Sequence, residues 1–253
     1  MDMTKIICVI PARLQSSRFP RKVLADLAGR PLLQWVWEAA CKTGFFDQVI
    51  VAVDAEETAD IVRGFGGHAE MTAVACLNGT ERLIELVQGG RIQGDIFVNW
   101  QGDEPFIDSV MIGDLLQSCR KLDSDIWTLK KKITDISKVL SPHTPKVVTD
   151  AAGRALLFSR SPIPYYRDMR AESEKVFYKH VGIYAFTREA LLQIARLPLC
   201  PIEDAEQLEQ LRWIYNGLRI QVHETQKEVS GIDLPEHLVA AREIVEKSLL
   251  LTT

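Results

Sequence analysis

Short apolar runs alternate with amphipathic stretches through the first half of this 253-residue chain. The runs are rich in Val and Ile, which is typical of strands buried on both faces. In the stretches between them, apolar residues recur at helical spacing, which predicts helices with one buried face. The pattern therefore predicts βαβ units and a mainly parallel sheet flanked by helices. The predicted strands are 6–10, 49–53, 69–71 and 95–100, and the predicted helices are 32–40, 56–65 and 80–89.

The second half has short β patterns that are broken by Pro and Gly, and these are more readily paired as hairpins than as parallel units. The predicted strands there are 127–133, 146–149, 155–158 and 180–186, and the predicted helices are 110–122, 188–196, 204–216 and 235–248. The chain contains no internal repeat and no Gly- or Ser-rich linker. We therefore predict a single α/β domain over residues 1–253, in which a smaller β-rich lobe occupies about 125–215.

Composition excludes several functional classes. A formal charge of −4 and a pI near 5.8 argue against broad nucleic-acid binding, because that needs a net basic surface. No apolar stretch approaches the roughly 20 residues of a membrane span, and the segment before the first strand is too short for a signal peptide. The five cysteines are odd in number and lack CxxC spacing, as expected for reduced thiols in the cytoplasm.

A basic loop follows the first predicted strand. Carboxyl ends of parallel strands meet at one edge of a sheet, where ligands bind. Serine hydroxyls and backbone N–H groups can cradle phosphate oxygens there, while Arg and Lys supply charge. A solvated surface loop is the alternative, and neither a Walker loop nor a dinucleotide fingerprint is present. The loop contains Arg13, Ser16, Ser17, Arg18, Arg21 and Lys22.

An acidic turn, Gln101-Gly-Asp-Glu-Pro105, follows the strand predicted at 95–100. Mg²⁺ prefers oxygen ligands and usually takes one or two carboxylates, so Asp103 is a candidate metal ligand, although an ordinary turn would also use Asp. A second acid, Asp233, lies just before the last predicted helix. It is either the N-cap or N′ residue of that helix or a second metal ligand, and spacing does not decide between these roles.

Three weaker signals concern polar residues elsewhere. Asn78-Gly-Thr-Glu-Arg82 is typical of a turn entering a helix, with Thr80 as a possible cap. Arg160 lies in a Pro-restricted loop, where a guanidinium could bind a carboxylate or simply face solvent. His180 and Tyr184 should share one strand face, with space beside them at Gly182.

Two charged groups are interpreted from their spacing as solvated or structural. Glu203, Glu206 and Glu209 fall at i, i+3 and i+6 on the predicted helix 204–216, and Arg212 could pair with Glu209. Residues 130–132 are three consecutive lysines, which indicates a solvated segment or the protection of an edge strand.

Taken together, these motifs resemble the family of 3-deoxy-manno-octulosonate cytidylyltransferases, the CMP-Kdo synthetases. The resemblance covers nearly the whole chain, and the joint occurrence is far more specific than any one motif. In order, the matching segments are Pro11-Ala-Arg, Ser17-Arg-Phe-Pro-Arg-Lys22, Asn78-Gly-Thr-Glu-Arg, Gln101-Gly-Asp-Glu-Pro, Phe158-Ser-Arg-x-x-Ile-Pro, His180-x-Gly-Ile-Tyr, Leu208-Glu-Gln-Leu-Arg and Gly231-Ile-Asp-x-Pro-Glu.

The resemblance implies a nucleotide-diphospho-sugar transferase-like fold, and an enzyme that joins CTP to the sugar acid Kdo for lipopolysaccharide biosynthesis. It also implies one or two Mg²⁺ ions and a homodimer formed through the smaller lobe. By the same resemblance, Arg18, Lys22, Asp103 and Asp233 are catalytic, and Asp103 and Asp233 bind the metal. The implied nucleotide-binding residues are Arg13, Ser17, Arg18, Lys22, Asn78, Arg82 and Gln101, and the implied sugar-binding residues are Arg160, His180, Tyr184, Glu209 and Gln210.

Two positions depart from the family pattern. Arg21 stands where Gly is usual, so either the backbone there does not need a positive φ or the loop follows another path. Its side chain would then contact the pyrophosphate or point to solvent. Asn78 stands where Ser is common, which is a small change among turn residues.

Three rival functions remain open at this point. A sister cytidylyltransferase for an amino-substituted or nonulosonic sugar acid would differ only in its sugar pocket. A sugar transferase that uses a finished nucleotide sugar would not need the cationic loop. A regulator that binds nucleotide without turnover would bind CTP and form no product.

Overall fold

The computed structural model of the chain describes residues 4–16, 19–168, 174–228 and 231–250. These residues form two compact units. The first unit runs to Ile112 and resumes at residue 229, whereas the second is the continuous segment Gly113–Glu228. The β-rich lobe expected at about 125–215 falls within the second unit.

The order of elements follows the predicted alternation in the first half of the chain. The strands are β1 (Ile6–Ala12), β2 (Asp26–Leu27), β3 (Arg30–Pro31), β4 (Gln48–Val53), β5 (His68–Met71), β6 (Ile96–Asn99), β7 (Ile126–Lys132), β8 (Lys146–Thr149), β9 (Ala155–Ser159), β10 (Tyr178–Thr187) and β11 (Ile220–Glu224). The helices are α1 (Leu32–Lys42), α2 (Glu56–Gly64), α3 (Gly79–Gln88), α4 (Ser109–Leu116), α5 (Ile136–Leu140), α6 (Arg188–Ile194), α7 (Pro201–Glu206), α8 (Glu209–Tyr215) and α9 (Pro235–Leu250). Short 3-10 turns lie at Lys22–Leu24 and Cys119–Lys121.

The first unit contains the parallel sheet that the pattern predicts. Its strands lie in the order β6, β1, β4, β5, and each neighbouring pair is parallel. The central strand β1 is buried along most of its length, because both of its faces are covered. All four strands therefore present their carboxyl ends at one edge, and the basic and acidic loops begin there.

The second unit is mainly antiparallel. Strand β10 pairs antiparallel with β7 and β8, and β8 pairs antiparallel with β9. Strand β11 adds to β7 in parallel. Large aromatic side chains fill the interior, among them Trp127, Phe158, Phe186 and Trp213, which are fully buried.

The predicted edge-strand role is wrong for Lys130, which lies on β7 between His180 of β10 and Glu224 of β11, a strand that was not predicted. The pairing of β11 ends at Lys130, so Lys131 and Lys132 pair with β10 and extend past the paired part of β11. The solvated interpretation also fails for part of the segment, since Lys131 forms an ion pair with Glu228 at 2.7 Å. Burial raises the pKa of Glu228, but hydrogen bonds from Lys131 and Lys179 outweigh it and lower that pKa to about 2.

The helix predicted at 204–216 is two helices. Helix α7 ends at Glu206, the C-cap residue Gln207 has a left-handed φ of +50°, and α8 begins at Glu209. In a continuous helix, the carbonyls of Glu206 and Gln207 would accept N–H groups one turn ahead. Here they accept from Arg160 instead, from Nε at 2.6 Å and Nη2 at 3.2 Å. The guanidinium therefore satisfies the carbonyls that the break leaves without helical partners.

The helix predicted at 110–122 is likewise shorter, because α4 ends at Leu116 and a separate 3-10 turn follows. None of the helices within the described residues combines the length and the apolar character needed to cross a membrane.

Candidate active site

The basic and acidic loops of the first unit lie side by side, as the parallel-sheet rule predicts. Strands β1 and β6 are neighbours, with Val9 opposite Asn99, so the chain leaves both strands at the same edge. The turn after β6 approaches β1 closely at Gly102. A Cβ atom at Gly102 would lie 2.8 Å from the carbonyl oxygen of Pro11, so only glycine fits there.

Three charged groups from distant parts of the sequence meet at this edge. The ammonium of Lys22 contacts the carboxylate of Asp103 and lies 3.1 Å from Oδ1 of Asp233. Lys22 is buried, with 9% of its surface exposed, whereas the Asp103 and Asp233 side chains are 24% and 40% exposed. One cation therefore bridges the two acids that the sequence proposed as metal ligands.

The segment that carries Asp233 is held against the acidic turn by the backbone. The N–H of Ile232 donates to the carbonyl of Asp103 at 2.9 Å. The Leu234 carbonyl accepts the first helical N–H groups, from His237 and Leu238, so Asp233 lies at the N′ position, one residue before the N-cap of α9. Its carboxylate also pairs with Lys22, so the structural position beside the helix and a place next to Asp103 occur together.

Arg21 adopts the positive φ that the family's glycine would suit. Its φ is +58° and its ψ is 26°, and it opens the 3-10 turn that presents Lys22. The need for a positive φ therefore remains, although the residue has changed. The side chain neither points freely to solvent nor reaches toward the acids, because both terminal nitrogens pair with the carboxylate of Glu57 on α2.

Arg82 lies inside the first unit, with 2% of its surface exposed. Its Nη2 donates to Asp54 at 2.8 Å and its Nη1 to Thr72 at 2.6 Å. Asp54 also accepts from the backbone N–H of Leu14 at 2.8 Å, so Arg82 is connected to the start of the basic loop. Sequence reasoning missed Asp54, although it directly follows β4 at the same sheet edge and the rule applied to Asp103 would have found it.

The other residues that the sequence proposed for nucleotide binding lie in different settings. Asn78, and not Thr80 as proposed, caps α3, since its Oδ1 accepts from the N–H of Glu81 at 2.9 Å. Gln101 donates from Nε2 to the side chain of Asn99 at 3.2 Å. Arg13 is exposed at the end of β1. Ser17 and Arg18 lie outside the described residues.

The donor set at this edge fits Mg²⁺. Within the described ranges, no group of three or more His, Cys, Asp or Glu side chains could hold a metal ion. Asp103 and Asp233 nevertheless converge on one cation, Lys22, and carboxylate oxygens are the ligands that Mg²⁺ prefers. Two carboxylates match the number that Mg²⁺ usually takes when substrate phosphates complete its coordination.

The second unit brings several predicted sugar-side residues together. His180 and Tyr184 share one face of β10, with ring centroids 5.3 Å apart, as the alternation predicts. A bulge between Val181 and Tyr184 adds two residues, Gly182 and Ile183, to β10. Because side chains alternate with a period of two, an insertion of two residues leaves His180 and Tyr184 on the same face. Burial raises the pKa of the Tyr184 phenol, and the negative charge of Glu209 raises it further.

His180 is held as a neutral ring. Its Nε2 lies 3.0 Å from the hydroxyl of Thr128, which also lies 2.8 Å from the carbonyl of Ile183. The single hydroxyl proton goes to a carbonyl, so Thr128 accepts from Nε2–H and leaves Nδ1 as an acceptor. Desolvation lowers the pKa of His180 to about 3. Sequence analysis did not identify Thr128, because its partner His180 lies on another strand, 52 residues later in the chain.

Arg160 is largely engaged within the second unit. Besides the carbonyls at the end of α7, it donates from Nη1 to the carbonyl of Pro142 at 2.9 Å. These contacts use three of its five N–H donors. The carboxylate of Glu206 accepts from the backbone N–H of Arg160 at 2.8 Å and from the hydroxyl of Ser159 at 2.6 Å.

A second cation, Lys146, is fully buried next to this loop. Its ammonium donates to the backbone carbonyls of Arg160 and Ser141, and burial lowers the pKa of Lys146.

The glutamates on α7 and α8 do not form the solvated stripe that their spacing suggested. Glu203 is buried, and its Oε2 lies 3.3 Å from Nε of Arg212, so these two side chains form an ion pair. Burial raises the pKa of Glu203 despite this neighbour. Gln210 is also buried, with 3% of its surface exposed, and Glu209 begins α8 beside Tyr184.

Several known proteins are similar to this chain in sequence. Residues 7–220 match the family model described as cytidylyltransferase. A 3-deoxy-manno-octulosonate cytidylyltransferase from Geobacter metallireducens is 46% identical over 253 residues, covering 96% of this chain and 97% of that protein.

Solved structures extend the comparison to the fold. A structure of CMP:2-keto-3-deoxy-manno-octonic acid synthetase complexed with CTP is 38% identical, with a TM-score of 0.91 over 97% of this chain and 100% of that one. The 4-diphosphocytidyl-2C-methyl-D-erythritol synthase from Anaerococcus prevotii is 12% identical, with a TM-score of 0.63 over 96% of this chain and 99% of that one, and shares the fold alone. The chain therefore belongs to the 3-deoxy-manno-octulosonate cytidylyltransferase family.

Proposed function

We propose that this protein transfers CMP from CTP to the anomeric hydroxyl of Kdo, giving CMP-Kdo and pyrophosphate. The observation that carries the proposal is the meeting of Lys22, Asp103 and Asp233 at the carboxyl edge of the parallel sheet. The chain that presents this cluster is 46% identical to a 3-deoxy-manno-octulosonate cytidylyltransferase over almost its full length.

The nucleotide side of the reaction needs charge neutralisation and positioning. The sugar hydroxyl would attack the α-phosphorus of CTP and release its proton to water, the new O–P bond would form, and the bond to pyrophosphate would break. Arg13 and Lys22 would bind phosphate oxygens and stabilise the charge that collects on the leaving group. Arg82 is occupied by Asp54 and Thr72, so its contribution would be to hold the loop that begins at Leu14.

Asp103 and Asp233 would hold Mg²⁺, through the oxygens that now face Lys22. When bound, Mg²⁺ would neutralise phosphate charge and lower the pKa of the attacking hydroxyl. The number of ions, one or two, is part of the proposal. No general base among the protein's own residues is required.

The sugar side would be formed by Arg160, His180, Tyr184, Glu209 and Gln210. Because His180 is neutral, it would act as a hydrogen-bonding partner for sugar hydroxyls and not as a cation for the carboxylate. Arg160 is then the candidate partner for the sugar carboxylate, through the N–H donors that its three carbonyl contacts leave over.

Assembly and cellular context belong to the same proposal and rest on family membership. We expect a homodimer formed through the second unit, a cytoplasmic location, and a role in supplying CMP-Kdo for lipopolysaccharide biosynthesis.

The decisive experiment measures pyrophosphate release from purified protein with Mg²⁺ and CTP, with and without Kdo, alongside ATP, GTP and UTP. We expect release only when CTP and Kdo are both present. Release of pyrophosphate with an amino-substituted or nonulosonic sugar acid, but not with Kdo, would mean that the protein is a cytidylyltransferase for that other sugar. Binding of CTP without any release of pyrophosphate would mean that the protein is a nucleotide-binding regulator.

A further inference from the structure

One lysine lies where the proposed metal ligands converge. Lys22 contacts both Asp103 and Asp233, and 9% of its surface is exposed. We infer that Lys22 is an internal counter-ion for this acid pair, and that its ammonium must leave the two carboxylates before they can take a divalent cation. The inference rests on the proposed function, because it assumes that Asp103 and Asp233 bind metal.

Electrostatics explains why a counter-ion is present. The N–H of Ile232 binds the carbonyl of Asp103, which holds the two acidic segments together whether or not a metal is bound. Two carboxylates held close together repel each other unless a cation lies between them. Lys22 provides that cation from within the chain.

The same electrostatics makes the ammonium and a divalent cation exclude each other. Mg²⁺ binds carboxylate oxygens at roughly 2.0–2.1 Å, so it would need the oxygens that Lys22 contacts. Two cations on the same pair of carboxylates would repel strongly in a partly buried site, where screening by water is weak. The long, flexible lysine stem allows the ammonium to move away, and a nucleotide's phosphates would offer it new acceptors.

The consequence is an exchange of partners. Without nucleotide, metal binding requires Lys22 to give up both ion pairs, so the affinity for metal alone is low. With nucleotide, the phosphates receive the ammonium, and the acids become available to the metal. Lys22 would then couple the two ligands, since each one favours the arrangement that the other needs.

The test measures Mn²⁺ binding without nucleotide, by electron paramagnetic resonance, at fixed pH and salt. We expect Lys22→Met to bind Mn²⁺ about tenfold tighter than the wild type, or more, because the competing ammonium is gone. The matched control is Arg21→Met, which removes the same charge one residue away. Arg21 pairs with Glu57, so this variant should stay within about threefold of the wild type.

Two outcomes separate this inference from the proposed function. If Asp103→Asn weakens Mn²⁺ binding but Lys22→Met does not strengthen it, the metal site stands and the counter-ion role is overturned. If Asp103→Asn leaves Mn²⁺ binding unchanged, the metal site itself is wrong, and the counter-ion role falls with it.

A second measurement needs no variant, in case Lys22→Met does not fold. Acylation of lysine amines in the wild type can be followed residue by residue with mass spectrometry during a Mg²⁺ titration. Displaced from its acids, Lys22 should become several times more reactive as Mg²⁺ rises, while Lys42, whose side chain is 77% exposed, should not change. Constant Lys22 reactivity at Mg²⁺ concentrations that saturate the site would overturn the inference.

Discussion

A single residue, Arg21, shows how this chain meets a backbone requirement without glycine. A left-handed conformation costs an ordinary L-residue roughly 1–2 kcal/mol, and glycine avoids that cost. The ion pair with Glu57 is half-exposed, with side chains 54% and 46% accessible, and such pairs contribute about 0–1 kcal/mol. The ion pair therefore offsets only part of the strain.

We expect Arg21→Ala to lower the free energy of unfolding by under about 1 kcal/mol, because the ion pair is lost and the strain remains. Arg21→Gly loses the same pair but relieves the strain, so it should be the more stable of the two variants and lie within about 1 kcal/mol of the wild type. Urea unfolding of all three proteins measures this. An alanine variant at least as stable as the glycine variant would contradict the left-handed conformation.

His180 should make stability depend on pH. Its folded pKa is about 3, whereas an unfolded histidine titrates near 6.5. Between these values the unfolded chain binds a proton that the folded protein excludes, so stability falls as pH falls through this window and is constant above it. The contribution of one such group is at most about 1.4 kcal/mol per pH unit.

The measurement is the free energy of unfolding of the wild type and His180→Gln at intervals from pH 7.5 to 5. We expect a shallower slope in the variant. Burial also lowers the pKa of His223, but His223 is present in both proteins, so the difference between slopes isolates His180. The lower limit avoids the range in which Glu228, whose pKa is about 2 in the folded protein against an ordinary value near 4.5, begins to contribute. Equal slopes would show that His180 is accessible to protons in the folded state.

At the scale of elements, the break between α7 and α8 depends on the end of β9. Glu206 accepts from Ser159 and from the N–H of Arg160, and the Arg160 side chain caps α7 in return. Glu206→Ala removes two hydrogen bonds to a charged group, and we expect it to lower the free energy of unfolding by about 1.5–3 kcal/mol. It should also weaken Kdo binding more than CTP binding, because it disturbs Arg160.

Urea unfolding and separate binding titrations with Kdo and CTP test this expectation. The control is Asp204→Ala on the same helix, an exposed position that should change stability by less than about 1 kcal/mol. If Glu206→Ala matched the control in stability, the junction would not be held by this carboxylate. Equal losses of Kdo and CTP affinity would argue against a sugar-side role for Arg160.

The elements that sequence analysis predicted are those whose pattern is local. The strands and helices of the first unit follow from hydrophobic periodicity, and the alternation Ile-Gln-Val-His-Glu of β11 carried the same signal, although it was not used. The break at Gln207 could not be predicted in this way, because it involves Arg160, 47 residues earlier in the chain.

Sequence analysis likewise predicted one part of the candidate site and missed another. The meeting of the loops after β1 and β6 was predictable, because the carboxyl ends of parallel strands lie at one edge of a sheet. The position of Lys22 between Asp103 and Asp233 was not, because it depends on how three distant segments fold together.

At the scale of the whole molecule, the two ends of the chain build one core. Helix α9 packs Ala241 and Val245 against Leu27 and Leu32 from the first part of the chain, and Ile232 belongs to the same cluster. Asp233 follows Ile232 directly. The position of Asp233 at the carboxyl edge of the parallel sheet therefore depends on the packing of α9, the last helix of the chain.

We therefore expect Val245→Ala to act on stability and on the proposed metal site together. Val245 is buried, with 6% of its surface exposed, so losing two methyl groups should cost about 1–3 kcal/mol. Val239, on the same helix but 63% exposed, provides the control, and Val239→Ala should be neutral or slightly stabilising. Urea unfolding gives the first effect. Mn²⁺ titration in the presence of CTP gives the second, which should appear as weaker binding in Val245→Ala alone. Weakened stability with unchanged Mn²⁺ affinity would mean that the backbone bond from Ile232 to Asp103 holds Asp233 in place without help from α9.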